Sequence, residues 1–247
     1  CPRCKSSAIR QFGLGTEKVQ AAVEALLPGA RVLRWDAETT RQKTANEILL
    51  AHFSAHRADI LVGTQMLAKG LDLPLVTLVG VVLADIGLNL PDYRAGERTF
   101  QLLTQVAGRA GRSPLGGQVI LQSFDPAHPI LLRAARYDFD GFAHQELEAR
   151  QRIGYPPYSR ILRLEFRAES DGAARQAAEK AAQLLQGWLE SGDHRQTGMI
   201  GPLPCFFHRQ AGFYRWQILL RGPDPARVLR GREVPGARLA VDPPDLL

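Results

Sequence analysis

"ADILVGTQMLAKG" (58–70) is the stretch on which the fold turns. Its first half is a short, nearly continuous apolar run, and its second half opens at once into Thr64, Gln65 and Lys69. Strands that are buried on both faces lose the polar alternation of half-solvated ones, so an unbroken Val, Ile and Leu run suits a parallel sheet. The same composition returns in "RVLRW" (31–35), "LVTLVGVVLAD" (75–85) and "GQVILQSF" (117–124), and "IRQFGLG" (9–15) reads as a strand ending in a glycine turn. Helical stretches separate these runs. One starts at Thr16, which is expected to cap it, carries Val19, Val23, Leu26 and Leu27 on one face, and stops at "PGA" (28–30). Others are expected over Thr40–His56 and Arg94–Val106. Strand and helix in alternation predict an α/β domain built on a doubly wound parallel sheet.

The order changes further along. A helix is expected over His128–Arg152, and "GYPPY" (154–158) breaks it, because a residue before proline is pushed out of the helical region. After it come a strand "RILRLEFRA" (160–168), an alanine-rich helix over 171–190, a Gly/Pro-rich connection, a strand "YRWQILLRG" (214–222), a short helical stretch near 225–230, and "ARLAVDPP" (237–244). This is the pattern of a smaller α+β domain. The expected organisation places an α/β domain over 10–140 and an α+β domain over 141–247.

Composition bounds the function. The 247 residues are 45% apolar and 23% charged, which excludes a disordered chain. No apolar run approaches the roughly 20 residues of a membrane span, and no secretory signal opens the chain; a cytoplasmic protein is expected. The net charge of +6 is spread thinly, with 15 basic and 11 acidic residues in 1–135 and 16 and 14 in 136–247. Such a balance permits an anionic partner without demanding one. Three cysteines cannot close a disulfide framework. The opening "CPRC" lacks a methionine, so the start is read as a cut inside a longer protein, with Cys1 and Cys4 half of a larger set.

In an α/β sheet, ligand chemistry gathers at the carboxyl ends of strands, where Thr64, Gln65 and Lys69 are expected. A second motif, "QVAGRAGR" (105–112), follows the helix that precedes the last strand of this domain. Gly108 and Gly111 let the backbone approach another surface closely. Arg109 and Arg112 offer planar donor forks that match phosphate; the alternative is that they pair with Asp and Glu on a solvated face.

Taken together, these two motifs resemble the fifth and sixth motifs of superfamily 2 helicases, and "GLGTEKV" (13–19) resembles the fourth. With "LADIGLNLPDYRAGERTFQLLTQVAGRAGR" (83–112), "GQVILQSFDPAHP" and "QELEARQRIGYPPYSR" added, the chain is similar to the primosomal replication-restart helicases, the PriA family, over nearly its whole length. The resemblance implies that Arg109 and Arg112 reach across a cleft to ATP, with Gln105 as their companion. Gly70 and Asp72 fall in the nucleotide-side part of the fifth motif, and Thr64, Gln65 and Lys69 where that motif touches DNA phosphates. Leu71 stands where relatives usually carry histidine. Residues 1–9 are similar to the end of a zinc-binding cysteine module, with Cys1 and Cys4 as its last pair; zinc takes four ligands, so these two do not complete a site.

The fold implied is a second RecA-like lobe followed by an α+β domain. The function implied is the C-terminal half of an ATP-dependent 3′–5′ DNA helicase that recognises stalled forks and restarts replication by primosome assembly. The implied partners are forked and single-stranded DNA, single-stranded DNA-binding protein and other primosome proteins, and the implied state is a monomer away from any membrane. ATP and Mg²⁺ would be held mainly by a first lobe. The chain itself contains no G-x-x-x-x-G-K-[ST] phosphate loop and no D-E-x-H motif, so alone it is expected not to hydrolyse ATP. A family member lacking a working phosphate loop, serving as a fork-binding scaffold that recruits primosome proteins, is the second reading. An unrelated enzyme using Asp85 or Asp92 is a third, with no partner nucleophile nearby. Cys205 reads as a small apolar loop residue, and Trp35 and Trp188 as core. Tyr155, Tyr158, Tyr214 and Trp216 read as core packing or, with Arg160 and Arg215 nearby, as surfaces for stacked bases.

Overall fold

The computed structural model describes residues 15–36, 39, 45–68, 73, 75–110, 116–192 and 194–247. The chain divides into two compact units, one within Cys1–Val79 and Gln105–Ile120, the other Gly80–Thr104 with Leu121–Leu247.

In the first unit, α1 (Thr16–Leu26), β1 (Val32–Trp35), α2 (Ala45–Ser54) and β2 (Ile60–Gly63) alternate as the sequence predicts. β1 and β2 are parallel, paired from Val32 with Ile60 to Trp35 with Gly63. Thr16 does not cap α1. Gly15 occupies the cap position, and the Thr16 hydroxyl donates instead to Asp36 at 2.6 Å. Of the expected helix over Thr40–His56, residues 40–44 lie outside the described residues, as does most of the strand expected over 9–15.

β3 (Leu78–Val81) and β4 (Gln118–Leu121) form a second two-stranded pair. Their hydrogen bonds step the same way along both strands, from the Gln118 amide to the Thr77 carbonyl and from the Gln122 amide to the Val81 carbonyl. Among the described residues the expected single doubly wound sheet is therefore not seen; the domain is mixed α/β, with two short parallel pieces. Each strand has only four residues, and Leu78 and Ile120 stay 57% and 59% exposed. A sheet covered on both faces would bury both.

The second unit holds α3 (Asp85–Leu88), the first ten residues of α4 (Ala95–Ala110), α5 (Pro129–Ala135) and α6 (Phe139–Ile153). The single helix expected over His128–Arg152 is two. Tyr137 takes a left-handed φ of 54°, and the Asp138 carboxylate then accepts from the Gly141 amide at 2.9 Å to restart the helix. α6 ends on Gly154 at φ 65°, the left-handed cap glycine favours. Phe100 and Leu103 of α4 pack with Leu131, Ala134 and Phe142, and the rings of Phe100 and Phe142 stack at 4.2 Å.

The rest of this unit is a four-stranded antiparallel sheet in the order β6–β7–β5–β8, from β5 (Arg160–Ala168), β6 (Gly198–Gln210), β7 (Phe213–Gly222) and β8 (Ala237–Val241). α7 (Asp171–Ser191) covers one face. Its Ala174, Ala178, Ala181, Ala182 and Leu185 recur at helical spacing and are buried. They meet Leu162, Leu164, Phe166, Ile218 and Leu220, all at most 1% exposed. Fully burying each large side chain here stabilises by roughly 1.5–3 kcal/mol. The other face of β5 is covered by the end of the chain, where Ile161 and Leu219 pack on Leu246. The Gly/Pro-rich connection expected before β7 is for the most part the 13-residue strand β6.

Candidate nucleotide and nucleic-acid site

The parallel register that pairs Trp35 with Gly63 brings the two chain segments out of the sheet side by side, as Asp36 and Thr64. Gly63 has no room for a side chain. A Cβ there would sit 2.4 Å from the Trp35 carbonyl oxygen and 2.7 Å from Leu67 Cδ1. This close approach allows the chain to turn into the 3₁₀ helix Gln65–Ala68, opened by the Leu67 amide donating to the Thr64 carbonyl at 3.0 Å. Thr64 and Gln65 are exposed at that carboxyl edge. Lys69, Gly70, Leu71 and Asp72 lie outside the described residues.

Asp36 is a residue the motif reading passed over. It is 7% exposed, accepts from the Thr16 hydroxyl at 2.6 Å and the Thr39 amide at 3.0 Å, and lies 3.2 Å from Arg34 Nε. Arg34 also reaches Glu17 at 2.7 Å. These contacts tie the loop after β1 to the first turn of α1. The signal was present in the sequence: an acid directly follows a strand at the edge where Thr64 follows another.

α4 runs past the expected end at Val106 and carries Arg109 in its last turn, four residues after the exposed Gln105. A Cβ on Gly108 would meet no described atom within 4 Å. Gly111 and Arg112 lie outside the described residues. The other end of α4 is held firmly. Asp92, 9% exposed, accepts from the Arg94 amide at 2.8 Å, from Arg98 at 3.2 Å and from the Leu246 amide at 3.2 Å. Arg98 also donates to the Pro244 carbonyl. Glu97 accepts from Arg94 and Arg150, each at 2.8 Å. The Arg94 hydrogen bond, opposed by burial and reinforced by Arg150, holds the Glu97 carboxyl at about 2. Arg150 lies 5.1 Å over the Tyr93 ring, Tyr93 stacks on Tyr155 at 5.2 Å, and Arg221 lies 4.9 Å over Tyr155.

These contacts settle several candidates. Asp92 is engaged by three donors, and Asp85 accepts from the Ser123 hydroxyl at 2.7 Å and the Phe124 amide at 3.1 Å. The Ser123 hydrogen bond leads in lowering the Asp85 pKa. Both carboxylates are structural. Tyr155 belongs to the stack just described, whereas Tyr158 stays 48% exposed. Trp216 donates to Asp171 at 2.7 Å, and Trp188 packs beside the core. Trp35 is buried at 5%. Cys205 lies on strand β6, not on a loop, and its burial at 2% exposure pushes the thiol up to about 11.

Among the described residues no three His, Cys, Asp or Glu side chains are grouped to hold a metal. Cys1 and Cys4 lie outside them, and two thiolates alone leave the zinc ligand set half filled. Among the same residues no helix is long and apolar enough to cross a membrane.

Comparison with known proteins adds the family. Residues 10–114 match the helicase conserved C-terminal domain, and residues 151–243 the primosomal protein N C-terminal domain. Replication restart protein PriA of Synechocystis is 43% identical over 229 residues, 93% of this chain and 27% of that protein. The Bacillus subtilis protein of the same name is 42% identical over 221 residues, 90% of this chain and 27% of its own length. That of Haemophilus influenzae is 36% identical over 257 residues, 100% of this chain and 35% of its own. The chain thus spans about a quarter to a third of the length of these curated relatives.

Proposed function

Because the chain belongs to the PriA family, whose helicase and primosomal C-terminal domains it carries in order, we propose that it is the C-terminal part of an ATP-dependent 3′–5′ DNA helicase. In this reading residues 10–140 are the second RecA-like, doubly wound motor lobe and residues 141–247 the smaller domain that meets the fork. The whole protein recognises stalled forks in the cytoplasm and restarts replication with single-stranded DNA-binding protein and other primosome proteins. It acts as a monomer.

The observation that carries the reading is α4. Its C-terminal end carries Gln105 and Arg109 of the arginine motif, and its first turns are fastened by Asp92, Glu97 and Arg98 to the C-terminal domain. A helix rooted in this way suits an element that presents donors to a phosphate and must stay put under load. ATP and Mg²⁺ are bound mainly by the first lobe, and Gly70, Asp72, Arg109 and Arg112 complete the nucleotide site, with Gln105 beside them. The nucleotide supplies the energy for strand movement. Thr64, Gln65 and Lys69 touch DNA phosphates at the sheet edge, and Cys1 and Cys4 supply part of a zinc site.

Fluorescence anisotropy of this chain with labelled single strands and forks, titrated at several salt concentrations, tests the DNA role. The expected dissociation constant is about 10⁻⁴ to 10⁻⁶ M at physiological salt, the range of sequence-independent contacts. A slope of log K on log salt of roughly −2 to −4 is expected from the modest charge excess. Lys69→Ala weakens binding alike for all sequences and lowers the slope by about one. No binding at low salt overturns the DNA role of this part of the protein.

A further inference from the structure

The β6–β7 hairpin carries a surface that neither motor motif uses. From Gly198 to Gly222 it contains no Asp or Glu, while Arg209, Arg215 and Arg221 and His208 all lie within it. Its outer end closes on Ala211 and Gly212, both at positive φ (49° and 87°), the tight primed turn that matches strand twist. Around that end Phe206 and Phe207 are each 51% exposed and Phe213 42%.

Two consecutive residues of a regular strand point to opposite faces, so one of two adjacent phenylalanines on a packed sheet is ordinarily covered. Here the pairing slips between Pro204 and Arg209, and such irregularities re-aim side chains. The rings of Phe206 and Phe207 meet edge to face at 5.1 Å. Beneath them the chain is braced. Arg215, 4% exposed and paired with Glu165 at 3.0 Å, donates to the Phe207 carbonyl at 3.3 Å. Arg209 lies 5.2 Å over the Tyr214 ring, which holds its planar guanidinium at the surface.

His208 is engaged by Asp171 at 2.7 Å, so Arg209 is the cation beside the rings. Exposed aromatics with such an arginine at a tight hairpin turn fit single-stranded nucleic acid, whose bases stack on rings while the backbone meets the cation. We propose that the outer end of the β6–β7 hairpin is a stacking site for single-stranded DNA, with Phe206, Phe207 and Phe213 as the ring surfaces and Arg209 as a phosphate contact. The site rests on the DNA-binding function proposed above and places a second, separate contact for the strand on the C-terminal domain.

The test uses this chain with labelled oligo(dT). Phe206→Ala/Phe207→Ala weakens binding by at least about tenfold and leaves the salt slope unchanged, because stacking releases no counterions. Arg209→Ala lowers the slope by about one. Phe207→Trp retains the affinity, and its added emission is quenched by the oligonucleotide, which a merely structural role would not produce. Because all these side chains are at the surface, the variants melt near the parent temperature. If the double alanine variant binds like the parent while Lys69→Ala weakens binding, the hairpin site is overturned and the motor-lobe contact stands; a hairpin that serves a protein partner gives this result. If the phenylalanine variants weaken binding and Lys69→Ala does not, the hairpin stands and the motor-lobe contact falls. An unaltered chain that binds no oligo(dT) at low salt overturns both.

Discussion

Arg150 on α6 and Glu97 on α4 stand 53 residues apart in sequence and meet at 2.8 Å, with side chains only 11% and 20% exposed. Arg150 also pairs with Glu146 at 2.8 Å and covers the Tyr93 ring. Its removal leaves both carboxylates short of a partner in a half-buried setting. Arg150→Ala is therefore expected to destabilise by about 2–4 kcal/mol, below the cost of breaking a fully buried pair. Arg152→Ala, two residues further along the same helix and exposed, is the comparison and should cost far less. Urea denaturation of the two variants measures the difference; equal stabilities would remove the pair from the account of how α4 is held.

Acid is expected to loosen the sheet through Glu165. Burial alone would raise this carboxyl, but hydrogen bonds from Arg215 and Arg167 and their charges outweigh it and hold the group at about 2, against an ordinary value of 4.5. A depressed carboxyl binds its proton less readily in the folded chain than in the unfolded one. Its contribution is therefore complete above about pH 4.5 and fades as the pH falls toward 2. Glu97 acts in the same window and with the same sign. Melting temperature followed from neutral to acid pH should hold level and then drop below about 4.5. In Glu165→Gln the neutral value should be lower and the acid drop shallower. A variant with the parent's full acid slope would show that other carboxylates govern it.

Gly63→Ala tests the turn that sets Thr64 and Gln65. The added methyl meets the Trp35 carbonyl oxygen at 2.4 Å, and that oxygen belongs to the neighbouring strand and yields only if the strands part. A loss of about 1–3 kcal/mol is expected, as for other overpacked sites. Gly80→Ala is the companion change, since a Cβ there meets no described atom within 4 Å. Chemical denaturation should separate the two clearly, and a Gly63→Ala chain as stable as the parent would mean the strand edge yields more easily than this geometry allows.

The elements whose pattern is local were legible in the sequence. β5 and α7 fall almost where expected, because a run such as "RILRLEFRA" and alanines at helical spacing declare their buried faces unaided. β6 was not legible, since Gly198, Gly201, Pro202 and Pro204 read as a connection. It survives as a strand because it lies at the sheet edge, where prolines cost no shared hydrogen bond. The break at Tyr137 could have been read from Asp138, a good cap in front of Phe139. At the site, the strand edge placed Thr64 and Gln65, but the hold on α4 was invisible: Asp92 meets Leu246 across 154 residues, and nothing local in either segment encodes that meeting. Lys69, Gly70, Asp72, Arg112, Cys1 and Cys4 lie outside the described residues, and their roles rest on motif and family.

The arginine motif gives the sharpest test of the motor reading. Phosphoryl transfer asks the protein mainly to place positive donors against charge spread over the transferring oxygens, and an arginine does so with a planar fork that makes two parallel hydrogen bonds. Lysine keeps the charge but offers a single point, so Arg112→Lys separates geometry from charge. In the protein joined to its first lobe, DNA-stimulated ATP turnover is expected to fall by at least about a hundredfold, since a comparable finger contributes about 10³ to 10⁵ in rate. The nucleotide concentration for half-maximal rate should change much less, because the fork acts on the transition state more than on the bound nucleotide. Arg109, on the last turn of α4 four residues after Gln105, is the next residue to substitute. If Arg112→Lys turns over at the parent rate and Arg109→Lys does not, the fork is Arg109; if both retain the parent rate, the arginines of this motif do not serve ATP and the motor assignment of α4 fails.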